Sequence, residues 1–129
     1  MGDEHSREHL FALTESLRPL HKALLDETKV EYERDSGPIG NPAALLQLLT
    51  GAPFFAWLRP LSGYMADLDE LLDEPEPLAP SRAAGMRARL EALLIDPAGG
   101  FAPRYLEMLQ RSAEVVIAHA VMRAALSRV

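Results

Sequence analysis

Four histidines and a short aromatic run are the residues of this sequence best equipped for chemistry. His5 and His9 stand i,i+4, so on a helix both imidazoles project from one side and can share a metal. Their polar surroundings favour plain solvent exposure instead. His21 flanks a leucine seam at Leu17 and Leu24, and His119 lies between Ile117 and Ala120 in an apolar stretch. Trp57, Tyr64 and Tyr105 have polar tips that can orient a ligand in an apolar pocket. Taken with His21 and His119 they define a candidate small-ligand, metal or haem site, with Glu107, Met65 and Met108 as further donors. The plainer role for either histidine is a hydrogen-bonded residue at the edge of a core.

Several chemistries have no carrier. Cysteine is absent, which removes thiolate nucleophiles, disulfides and zinc–cysteine sites. Di-iron bundles use inward Glu-x-x-His pairs, but Arg18 and Val116 occupy the positions three before His21 and His119. No Gly-x-Ser-x-Gly elbow exists. Gly99-Gly100 with Arg104 can grip an anion at a helix start, yet without a preceding strand or a P-loop lysine it reads as a turn. The acidic runs Asp26-Glu27 and Asp67–Glu70 read as solvated faces. No catalytic set and no cofactor is expected.

The stronger binding feature is aromatic. Phe54, Phe55 and Trp57 fall within four residues, so on a helix they cannot share one face. Some of them must meet another helix, another chain or a ligand. Arg59 follows at once, within Leu58-Arg59-Pro60-Leu61, an echo of Leu17-Arg18-Pro19-Leu20. A proline inside a helix frees the carbonyl four residues earlier, here at Glu15 and Ala56. Arg18 and Arg59 are placed to supply the missing donors, and two kinks would widen a bundle into a pocket.

The elements that must position these residues are helical. The chain has 22 Leu and 19 Ala against 5 Val and 3 Ile, a bias towards helix formers and away from pleated strands. Leu10, Leu13, Leu17, Leu20 and Leu24 set a bundle seam on a helix from about Glu4 to Arg34, capped by Asp3 or Ser6 and bent or restarted at Pro19. Asn41-Pro42 opens a short helix over Ala43–Leu49, with Gly51 as its terminator. Leu61–Leu72 is helical, with Leu61, Met65 or Tyr64, Leu68 and Leu72 inward. Glu74–Pro80 is a proline-rich linker, and a helix from about Pro80 to Ile95 turns Met86, Leu90, Leu93 and Leu94 inward. A last helix is expected from Pro103 to Ser127, with Tyr105, Leu109, Val116 and Ala120 as its stripe, Leu106, Ala113 and Ile117 beside it, and room for a break capped by Ser112. The economical fold is one all-α domain over residues 1–129, an antiparallel four-helix-type bundle with one short extra helix and proline-kinked helices.

The net charge of −6 argues against nucleic-acid binding. Residues 1–76 carry 6 basic and 15 acidic groups and residues 77–129 carry 7 and 4, so complementary halves can pack side by side or guide self-association. The acidic start lacks the basic and apolar regions of a signal peptide, and no membrane span is evident, which suggests a cytoplasmic protein. Pro53-Phe54-Phe55-Ala56-Trp57-Leu58-Arg59-Pro60-Leu61, with Val115-Val116-Ile117-Ala118-His119 downstream, resembles a family of small uncharacterised bacterial all-helical proteins. That resemblance spans most of the chain, implies a helical fold and no activity, and carries no catalytic residue. The leading expectation is a non-enzymatic module that associates with itself, or with another protein, through Leu and aromatic surfaces.

Overall fold

The computed structural model describes residues 2–129, with side chains from residue 5 onward. Among them are α1 (Gly2–Ser36), α2 (Pro42–Gly51), α3 (Arg59–Asp73), α4 (Pro80–Ile95), α5 (Phe101–Arg111) and α6 (Ala113–Leu126), and no strand. Short 3-10 segments occupy Pro53–Leu58 and Pro97–Gly99. No described helix is long and apolar enough to cross a membrane.

The central element is α1, which packs against α6, α3, α4 and α5. Its seam, Leu10, Leu13, Leu17, Leu20 and Leu24, is fully buried, as the spacing requires. One core joins these leucines to Phe55, Leu61, Tyr64, Leu68, Leu90, Phe101, Tyr105, Met108 and Met122. On α3 the buried set is Leu61, Tyr64, Leu68 and Leu71, so Tyr64 rather than Met65, and Leu71 rather than Leu72, faces inward. On α4 only Ala83 and Leu90 are fully buried, while Met86, Leu93 and Leu94 pack at the margin. No residue of α2 is fully buried.

Element ends follow local chemistry. Asn41 caps α2 by accepting from the Ala44 N–H at 2.8 Å, and Pro42 occupies the first turn, where it forfeits no bond. Gly37, at φ 84°, terminates α1, and Gly100, at φ 78°, opens α5; both take the left-handed backbone that glycine adopts without strain. The expected cap at Asp3 lies outside the described side chains, and Ser6 sits within α1.

The two Leu-Arg-Pro-Leu segments differ in role. α1 runs through Pro19 without restarting; Glu15 and Pro19 both lie on its exposed side, where solvent can serve the freed carbonyl. Pro60 instead lies in the first turn of α3, and the Ala56 carbonyl accepts the Arg59 N–H in a 3-10 bond. Neither arginine side chain takes the expected role. Arg18 pairs with the Glu15 carboxylate at 2.9 Å, and Arg59 donates to the Thr50 carbonyl at 2.9 Å, closing the end of α2.

The expected last helix divides. Ser112 adopts extended backbone (φ −120°, ψ 118°), and its hydroxyl accepts the Val115 N–H at 3.2 Å to start α6 afresh. The break resets the helical phase. Val115, Ala118, Met122, Ala125 and Leu126 are buried on α6, whereas Val116, Ile117 and Ala120 are exposed, which corrects the stripe read along an unbroken helix. Leu106, expected beside that stripe on α5, is also exposed.

Distant segments are tied by arginines. Arg7 on α1 donates to the carbonyls of Leu72, Glu74 and Glu76 at 3.0, 2.8 and 2.6 Å, holding the end of α3 and the linker beyond it. The two oppositely charged halves do meet within one chain, through Arg82–Glu74, Arg89–Asp67, Arg104–Glu31 and Arg111–Glu31.

Candidate functional site

The aromatic run folds inward along two lines. The 3-10 geometry of Pro53–Leu58 turns Phe54 and Phe55 onto Tyr32 of α1, with ring centroids 5.7 and 5.5 Å away. Phe55 is fully buried and Phe54 lies at the surface. Trp57 takes the opposite direction and packs on Phe101 at 5.4 Å, with the Arg104 guanidinium 5.2 Å from its ring centre. The faces that one helix could not reconcile are thus met by α1 and α5. The Trp57 indole N–H is buried without an acceptor among the described residues.

From Phe101 the track continues to Tyr105, 5.4 Å away and stacked, and then to His119, 5.6 Å away on α6. The Tyr105 hydroxyl lies 2.7 Å from His119 Nδ1. Burial pushes the phenol pKa up, so the hydroxyl keeps its proton. Burial, and secondarily Arg123, pushes the His119 pKa down and favours the neutral ring, whose tautomer decides which of the two groups donates. On an unbroken helix these residues, 14 apart, would be separated by about 21 Å along the axis. The elbow at Ser112 makes the contact possible.

His21 and Tyr64 are engaged elsewhere. The Ser62 hydroxyl donates to the Leu58 carbonyl at 3.2 Å and accepts from His21 Nε2 at 2.9 Å. Burial also lowers the His21 pKa. The Tyr64 hydroxyl, its pKa raised by burial, donates to the Met86 carbonyl at 2.9 Å, and Arg89 lies over the ring. The structure therefore brings together Trp57, Tyr105 and His119 through Phe101, while His21, Tyr64 and Arg59 serve separate contacts. His5 and His9 stack their rings 6.2 Å apart near the start of α1. Among the described residues no group of three His, Cys, Asp or Glu side chains has the geometry of a metal site.

Two histidines that resist protonation link stability to pH. Below about pH 6.5 the unfolded chain takes up histidine protons that the folded chain refuses, so stability falls as pH drops through that region and is full above it. Thermal melts between pH 8 and 5 are expected to show a shallower acid loss in His119→Gln than in wild type. An unchanged slope would mean that His119 titrates normally.

Two features went unnoticed in the sequence. Glu31, largely buried on α1, receives Arg104 at 3.4 Å and Arg111 at shorter range, and Arg104 also holds Glu107 at 2.6 Å. The second is an open groove between α1 and α6. One part, about 350 Å³, is lined by Pro19, Ala23, Ile117, Ala118 and Val121, with Lys22, Asp26 and Glu114 at its end. Another, about 790 Å³, continues past Val121 along Phe11, Ala12, Ala120 and Ala124 to Glu15 and Arg128. Phe11, Ile117 and Val121 are each more than half exposed. The signal for this groove was present in α6, where Val116, Ile117, Ala120, Val121 and Ala124 extend the apolar surface beyond the buried side. No protein-family model matches this chain, and no curated protein or solved structure matches it.

Proposed function

We propose that this chain is a cytoplasmic association module, an antiparallel helical bundle that works as a homodimer through the groove between α1 and α6. The observation that carries this reading is the concentration of exposed apolar side chains there, Phe11 at 56%, Ile117 at 65% and Val121 at 56%, flanked by alanines. An apolar patch of this kind gains free energy when a partner removes it from water. The aromatic run is less suited to this task, because Phe55 and Trp57 already pack against Tyr32 and Phe101.

Sedimentation equilibrium tests the reading. Wild type is expected to be dimeric at micromolar concentration. Ile117→Asp, which puts a charge on the groove but touches no fully buried position, is expected to be monomeric with an unchanged circular dichroism spectrum. A wild-type protein that stays monomeric across the accessible concentration range would remove the basis for the proposal.

A further inference from the structure

The order of residues along the groove contains its own complement. Five charged residues line it: Lys22, Asp26 and Glu114 on one side of Val121, Glu15 and Arg128 on the other. Three are already paired within the chain, Lys22 with Asp26 at 2.8 Å and Glu15 with Arg18 at 2.9 Å. Glu114 raises the Lys22 pKa from a distance, but among the described residues neither Glu114 nor Arg128 makes an ion pair. The groove therefore carries one unpaired negative charge at one end and one unpaired positive charge at the other. Both stand seven residues from Val121, which lines both parts of the groove. At helical rise Glu114 lies about 10 Å along the axis from that midpoint, and Arg128 lies in the turn that follows α6.

Apolar bulk stands at both ends: Ile117 of α6 lines the part that holds Glu114, and Phe11 of α1 lines the part that holds Arg128.

We propose that the groove is filled by the same groove of a second copy, turned end for end about a twofold axis at Val121. In that arrangement Glu114 of each copy faces Arg128 of the other, and the exposed apolar side chains between them cover one another. A twofold interface repeats every contact, so a single match of charge is used twice. A parallel arrangement would set Glu114 on Glu114 and Arg128 on Arg128, so that like charges repel. The uncharged α2 of a second copy would leave both unpaired charges without a partner. This geometry rests on the self-association proposed above.

The chain contains no cysteine, so Val121→Cys introduces a single thiol. Mild oxidation of the dimer is expected to convert most of this variant into a covalent dimer, at about tenfold the yield of Ile95→Cys, an exposed position on α4. Glu114→Arg and Arg128→Glu are each expected to weaken dimerisation about tenfold, and the double exchange to restore it to within about threefold of wild type. A wild-type monomer would overturn self-association itself. A dimer in which Val121→Cys crosslinks no better than Ile95→Cys, or in which the double exchange is no better than its parents, would overturn the twofold geometry and leave self-association standing.

Discussion

Phe101→Ala is expected to lower the unfolding free energy by about 3–5 kcal/mol, a large share of the roughly 5–15 kcal/mol that holds a domain of this size. Phe101 is 1% exposed and lies between Trp57 and Tyr105, with both centroids 5.4 Å away. Truncation removes the hydrophobic transfer gain of the ring and leaves a void whose walls are two other rings. Those walls are poorly able to collapse: Trp57 is held under Arg104, and Tyr105 is tied to His119. The cost should therefore lie towards the upper part of the range. Urea denaturation would measure it as a midpoint about 2 M lower at unchanged slope. Phe101→Leu, which keeps most of the volume, should recover more than half of the loss. A change under about 1 kcal/mol for the alanine variant would exclude this stack as a central part of the core.

Glu31→Ala is the second large effect, expected at about 2–3 kcal/mol. The figure lies between two limits. Exposed ion pairs contribute about 0–1 kcal/mol, and breaking a fully buried pair costs about 3–5 kcal/mol. The Glu31 side chain is 16% exposed, Arg104 28% and Arg111 42%, so water screens the arginines only in part. Removing the carboxylate leaves Arg111 without its ion-pair partner and Arg104, which lies over Trp57, with Glu107 alone. Glu31→Gln separates charge from size, because the amide retains an acceptor but no longer offsets two positive charges. Its melting temperature should fall between those of wild type and Glu31→Ala, and added salt should narrow the gap between the two variants. Equal stability of all three proteins would reduce the cluster to a surface ornament of the fold.

How far the molecule could be anticipated depends on what kind of information each element needed. The α1 seam is strictly local: five leucines at alternating spacings of three and four leave a helix one way to bury them. Asn41-Pro42 is equally local, since the cap and the first turn lie within four residues. The repeated Leu-Arg-Pro-Leu misled because one tetrapeptide suits two surroundings. Within a long helix the proline is tolerated on the outer side, and after a 3-10 turn it begins the next helix. Choosing between them takes the context of Pro53, which already interrupts the backbone six residues before Arg59. The Tyr105–His119 contact was hidden for a related reason. Its existence depends on the backbone of Ser112 alone, and a helical phase carried across that residue assigns the wrong side of α6 to the core. Glu31 was hidden in an acidic run, because its partners are 73 and 80 residues away.

Arg7 gives the linker an unusual dependence on time. The carbonyls of Leu72, Glu74 and Glu76 take their donors from a residue 65 to 69 positions earlier in the chain. The proline-rich stretch that follows α3 cannot supply those donors itself, because prolines 75 and 77 have no N–H. Its ordered form therefore waits for α1 and α3 to dock, a closure across more than half of the chain, and such closures come late in folding. The amides of Glu74, Glu76, Leu78 and Ala79 should gain protection from hydrogen exchange after those of the α1 leucine seam, and in Arg7→Ala they should exchange early in an otherwise native protein. One guanidinium thus acts as the clasp that is fastened last.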